Sequence, residues 1–189
     1  MNIEFLVNKA IKLHVRGKVE KAEEIYKKII KIDPNNIISL NNLGSILNSK
    51  ENFEKSLNLV NRALEIKPEY VDALNNKGNC LKGLSRFEDA IKYFKKAIVI
   101  KPDFVGALNN LANTYRLIGR NKEAITIFQK VIELKPDYYE ALYNQAICLY
   151  SLNLFDQAED SYKKAIKVKP NFVEAYYNLS LLQMAKKKE

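Results

Sequence analysis

Asparagine recurs at Asn8, Asn42, Asn76, Asn110, Asn144 and Asn178, a constant step of 34 residues. Its side chain carries one carbonyl acceptor and one amide donor group, the complement of a peptide unit. A regular row of such groups can hold the main chain of an extended segment without reading its sequence. The same row can instead satisfy polar groups of a neighbouring element, and the residues alone leave both readings open. Beside the row stand Asn41, Asn75 and Asn109, and one helical turn further on are Ser45, Asn79 and Asn113. Toward the C-terminus these neighbours give way to Tyr143, Tyr150 and Tyr177, with Ile147 and Leu181 close by. Tyrosines suit partner side chains because they offer large contact area at low entropic cost. Tyr176, by contrast, reads as packing on a neighbouring element.

The remaining reactive residue types form no catalytic constellation. Cys80 and Cys148 lie two periods apart, at a position held elsewhere by Ile46 and Leu182, so they read as small apolar core groups. His14 is the only histidine, and there is no CxxC or GxSxG motif and no phosphate-binding glycine loop. A zinc site cannot be assembled from this set, and a general acid or base would have no partners. The expectation is a protein that is not an enzyme and needs no cofactor.

Lysine and arginine total 31 against 22 acids, a formal charge of +9 that raises nucleic acid as a partner. The basic residues gather elsewhere than the asparagine row: Lys27, Lys28, Arg62, Lys92, Lys95, Lys96, Lys130, Lys163 and Lys164 belong to the second helix of their units, and Lys67, Lys101, Lys135 and Lys169 precede prolines. Alongside the row, Glu4, Asp72, Glu140 and Glu174 face Lys82 and Arg116, which is close to neutral. Nucleic-acid binding is therefore not expected. No apolar run approaches the about 20 residues of a membrane span, and Met1 to Gly17 lacks a signal-peptide core, so a cytoplasmic location is expected.

The elements that position these residues follow from the prolines, which stand at Pro34, Pro68, Pro102, Pro136 and Pro170. A fixed period of this length marks stacked supersecondary units. Starting each unit three residues after a proline gives 3–36, 37–70, 71–104, 105–138 and 139–172, then a final helix over about 173–186. Within the third unit Val71, Leu74, Gly78 and Leu81 keep helical spacing, and Phe87, Ala90, Ile91, Phe94, Ala97 and Ile98 keep it again after a turn. Each unit is thus predicted to be two helices. Gly17, Gly119 and Asn153 suit the left-handed residue that closes a first helix, whereas Glu51 and Ser85 at the same place should close it less ideally or one residue earlier. Asn35, Asp103, Asp137 and Asn171, each after its proline, are expected to cap the next helix or turn into it. Small residues, Ala22, Ser56, Ala90, Ala124 and Ala158 against Gly44, Gly78, Ala112 and Ala146, mark the close approach within each pair.

In the fourth unit Leu108, Leu111-Ala112, Tyr115, Ala124, Phe128, Val131 and Pro136 carry the pattern of the tetratricopeptide repeat family, which this sequence resembles over nearly its whole length. Unit one departs most, with Lys9-Ala10 where Leu-Gly is usual. The resemblance implies an all-α, right-handed superhelical solenoid of five helix-turn-helix repeats plus a C-terminal helix, a single array over 1–189. It also implies that the asparagine row lines a concave groove, and that the chain is a scaffold binding a protein or peptide there. The row is similar to the asparagine ladder in the repeat domain of O-linked N-acetylglucosamine transferases, which grips substrate main chain. A substrate-recruiting repeat domain of a larger transferase is therefore the alternative. The chaperone-binding carboxylate clamp of some family members is not matched, because Val7, Asn41, Asn75, Asn109 and Tyr143 occupy a position that requires cations.

The final helix carries Val173, Tyr176, Tyr177, Leu179, Leu181, Leu182 and Met184, apolar on more than one side, before Lys186 to Glu189. Its readings are an exposed cap, a self-association surface, or a cut before further units.

Overall fold

The computed structural model describes residues 2–186, so Met1 and the part of the terminal basic tail at 187–189 lie outside it. Among the described residues the chain forms eleven helices. They are α1 (Ile3–Val15), α2 (Val19–Ile32), α3 (Ile37–Ser49), α4 (Phe53–Ile66), α5 (Val71–Gly83), α6 (Phe87–Ile100), α7 (Val105–Leu117), α8 (Asn121–Leu134), α9 (Tyr139–Ser151), α10 (Phe155–Val168) and α11 (Val173–Lys186). Each even-numbered helix ends before a proline, and the residue ahead of that proline is pushed toward extended backbone, as at Lys67 with φ −134° and ψ 91°.

The chain divides into two compact units, Met1–Pro102 and Asp103–Glu189. In the first, each of α1 to α4 packs on its successor, α5 pairs with α6, and α3 also meets α5. In the second, α7 through α11 pack in the same consecutive way, and α7 also meets α9.

The small residues do what their spacing implies. A Cβ on Gly44 would fall 2.7 Å from Val60 Cγ2, and one on Gly78 would fall 2.5 Å from the Phe94 ring. Helices α3 and α5 therefore lie closer to their partners than any side chain at those positions would permit. Ala22, Ser56, Ala90, Ala124 and Ala158 are fully buried opposite them, and Tyr26, Val60, Phe94, Phe128 and Tyr162 fill the space beyond.

Two local expectations are corrected. Glu51 and Ser85 both adopt φ 58°, the same left-handed conformation as Gly17, Asn153 and Gly119, rather than an altered or earlier closure. Each of the five turns makes the same two bonds, for example Ser85 N–H to Lys82 O at 3.0 Å and Arg86 N–H to Leu81 O at 2.8 Å. This paired closure satisfies the last carbonyls of the first helix, and docking of the second helix fixes its geometry regardless of side chain.

The second correction concerns helix starts. Asn35, Asp103 and Asp137 turn the chain but do not cap; the N-cap lies one residue later, at Asn36, Tyr70, Phe104 and Tyr138, and only Asn36 accepts a side-chain bond, from Ser39 N–H at 3.1 Å. At three of the other turns the lysine before the proline lies over the aromatic residue that precedes the next helix. Lys67 Nζ stands 5.8 Å from the Tyr70 ring centroid, Lys135 is 5.0 Å from Tyr138, and Lys169 is 5.0 Å from Phe172. Each contact is worth about 0.5–1 kcal/mol at an exposed site.

Ion pairs fasten the two ends of the series. Glu23 meets Lys27 and Lys50 at 2.6 and 2.7 Å, and its equivalent Glu159 meets Lys163 and Lys186, both at 2.8 Å. In the intervening repeats the glutamate position holds Leu57, Ile91 and Ile125, and the lysine position holds Leu84, Ile118 and Leu152. On α11, Ala175 and Leu182 are buried. Its counterparts of Leu74, Gly78 and Leu81 are Tyr176, Ser180 and Gln183, all exposed, so two of the three residues on that face are polar.

Candidate functional site

The asparagine row is chemically uneven. Asn42 Nδ2 donates to Tyr26 Oη at 3.1 Å, and Asn76 Nδ2 donates to Asn41 Oδ1 at 2.8 Å. Asn178 Nδ2 donates to Tyr143 Oη at 2.8 Å and also lies within hydrogen-bonding reach of Tyr162. Burial pushes the Tyr162 hydroxyl well above its ordinary pKa, so it remains a neutral donor and acceptor. In these three places the side chain does satisfy a neighbouring helix. Asn8 is exposed, and Asn75 and Asn110 are half-buried.

The second unit contains a different arrangement. Asn109, Asn113 and Arg116 follow one face of α7 at i, i+4 and i+7. Asn109 Oδ1 and Arg116 Nε are both buried without a hydrogen-bond partner. Neither Asn113 nor Asn144, both half-buried, has a side-chain bond among the described residues. The Arg116 guanidinium lies near enough to α9 to oppose the burial that raises the pKa of Tyr143 and of Cys148. Next to this polar strip, α9 presents Tyr143, Ile147 and Tyr150, and α11 presents Tyr177, Leu181 and Met184 at equivalent positions. Tyr177 is 63% exposed and Met184 63%, while Tyr150 and Leu181 are near 40%.

Of the expected site residues, Tyr143 is the one that departs most. It packs on Phe172 with centroids 4.8 Å apart and on Tyr162 at 5.9 Å, while its hydroxyl accepts from Asn178. It is a joint between helices, and Tyr150 and Tyr177 are the tyrosines that remain open. In the first unit Asn79 is half-buried with no described side-chain bond, whereas Asn41 is buried. The significance of Arg116 was hidden in the sequence, where it counts as one charge among many; its missing counter-ion becomes visible only in the packed structure.

The thiols are core groups. Cys80 Sγ lies 2.9 Å from Ser56 Oγ, which donates to Gly44 O at 2.6 Å. Burial raises the Cys80 thiol and pushes Cys148 up to about 11, so neither is a nucleophile at neutral pH. The His14 and Tyr26 rings meet edge to face with centroids 6.3 Å apart.

Tetratricopeptide repeat models match residues 25–58, 71–104 and 104–171, which together take in most of the chain; the second and third matches coincide with its helix pairs. The chain is a tetratricopeptide repeat protein. No curated protein matches this tetratricopeptide chain in sequence. Among solved structures it is similar to TTC0263, a thermophilic TPR protein of Thermus thermophilus, at TM-score 0.78 and 16% identity, covering 97% of this chain and 100% of that one. It is similar to pilF of Pseudomonas aeruginosa at TM-score 0.77 and 18% identity, covering 98% and 90%. It is also similar to YrrB, described as a TPR protein with an unusual peptide-binding site, at TM-score 0.72 and 22% identity, covering 92% and 89%. These likenesses give the tetratricopeptide chain its all-α solenoid fold. Among its described residues no helix is long and apolar enough to cross a membrane.

Proposed function

We propose that this chain is a non-catalytic scaffold that takes up an extended segment of a partner protein along the first helices of the unit Asp103–Glu189. The observation that carries this reading is the set of unengaged polar groups on α7 and α9: Asn109 Oδ1, Asn113 and Asn144. A buried acceptor such as Asn109 Oδ1 is costly to leave unpaired, and an extended main chain offers it a donor while its other groups suit the open amides of Asn113 and Asn144. The peptide-binding site of YrrB supports the same use of the fold. We read Asn144, from the asparagine row, and Asn113, beside the row, as the groups that grip the partner's main chain. At Asn42, Asn76 and Asn178 the amide donor already serves the protein itself.

The test is an immobilised array of peptides of varied sequence, probed with the wild-type protein and with the Asn113→Ala/Asn144→Ala variant. Retention of many sequences by wild type and loss of most by the variant, at unchanged helicity, is expected. Equal retention by both would remove the asparagines from the site.

A further inference from the structure

Arg116 stands at the C-terminal end of α7 with its Nε buried and unpartnered, and no described carboxylate pairs with it. A guanidinium cannot escape this by losing its proton. A guanidinium whose Nε is buried without a partner or counter-charge is under-solvated there, so a ligand that brings a carboxylate gains a charge-assisted, fork-shaped contact. The acids of the same face lie at the opposite end of their helices: Glu140 in the first turn of α9 and Glu174 in the first turn of α11. An incoming carboxylate is thus repelled there and drawn to the Arg116 end.

Spacing adds a second constraint. Asn109 and Arg116 are seven residues apart on α7, about 10 Å along a helix rising 1.5 Å per residue. An extended segment covers that distance in about three residues at 3.3 Å each. One main-chain N–H can therefore reach Asn109 Oδ1 while a side chain about three residues away reaches Arg116. Beyond Arg116 the surface becomes apolar, with Tyr150, Leu181 and Met184 all exposed. Methionine adapts its shape to what it meets, and an exposed apolar strip beside a lone cation calls for bulky apolar groups next to the acid.

We infer that the α7–α9–α11 face binds an extended partner segment in which an aspartate or glutamate side chain is flanked by bulky apolar residues, the carboxylate on Arg116 and the apolar groups on Tyr150, Leu181 and Met184. This rests on the groove reading above and adds the chemistry of the partner to it.

The experiment uses the full chain against a random library of immobilised peptides whose C-termini are amidated, so that the only carboxylates are side chains. Retained peptides are expected to be enriched in Asp or Glu beside Leu, Ile, Phe or Tyr. Arg116→Gln, or replacing the peptide's acid by its amide, should weaken binding about tenfold or more, as expected for a charge-assisted contact. The peptide substitution serves even if the protein variant folds poorly. Arg116→Lys, which keeps the charge but loses the fork, should fall between. Retention without acidic enrichment, or indifference to Arg116→Gln, would overturn the inference and leave the groove reading standing. Binding only of peptides with a free C-terminal carboxylate would also overturn it, because a terminal group would then occupy Arg116. Retention of no peptide of either kind would overturn the groove reading itself.

Discussion

Asn42 and Asn144 occupy the same place in their repeats and differ in what surrounds them. Sixteen residues before Asn42 stands Tyr26, whose hydroxyl receives its amide; sixteen before Asn144 stands Phe128, which has nothing to offer. Asn178 has Tyr162 at the same place, although its amide donates to Tyr143 Oη. At Asn42 and Asn144 the aromatic of the preceding second helix sets whether the ladder amide finds a partner there. Backbone conformation gives a second residue-scale test. Glu51 and Ser85 hold φ 58° without the freedom of glycine, at a cost of about 1 kcal/mol each. Ser85→Gly should therefore raise stability by up to about 1 kcal/mol, less the extra entropy of the unfolded glycine, read as a higher urea midpoint. Gly119→Ala should lower it by a similar amount, since a Cβ there meets nothing and only the positive φ is strained. In contrast, Gly78→Ala drives a Cβ into the Phe94 ring and should cost about 1–3 kcal/mol. A neutral Gly78→Ala would mean that α5 and α6 are not held as close as described.

At the level of elements, the helix pairs were legible in the sequence because they rest on local rules: prolines that stop helices, apolar positions at helical spacing, and small residues where axes approach. The closures at Glu51 and Ser85 were not legible, since tertiary docking overrides the preference of the residue itself. Nor were the lysine–aromatic contacts at helix starts, although the recurring Lys-Pro-x-aromatic order was there to be read. The docking of α11 offers a pH test. Lys163 and then Lys186 hold the Glu159 carboxyl down at about 2, well below the usual carboxylate value of about 4.3. A depressed carboxylate stabilises the fold fully above its unfolded pKa and loses that contribution as pH falls through the folded one. Glu159→Gln should thus be less stable than wild type at pH 7, and the gap should close between about pH 4.3 and pH 2, measured as paired urea midpoints. A gap that is independent of pH would show that the ion pair does not hold α11.

For the molecule as a whole, the fold could be reached from the repeat alone, while the candidate site could be reached only in part. Six asparagines in register look identical in the sequence, and counting them gives every repeat the same role. The packed chain separates them: the amides of Asn42, Asn76 and Asn178 bond within the protein, while Asn144 stays open, as do Asn109 Oδ1 and Asn113 on α7 beside an unpaired arginine. The central claim is that these two sets do different things, and calorimetric titration of one retained peptide against two double variants tests it most directly. Asn113→Ala/Asn144→Ala should abolish binding and leave the urea midpoint nearly unchanged. Asn42→Ala/Asn76→Ala should keep the affinity and lose stability, by about 0.5–1.5 kcal/mol for each hydrogen bond removed. The opposite pattern, with affinity lost in the second variant and retained in the first, would contradict the claim.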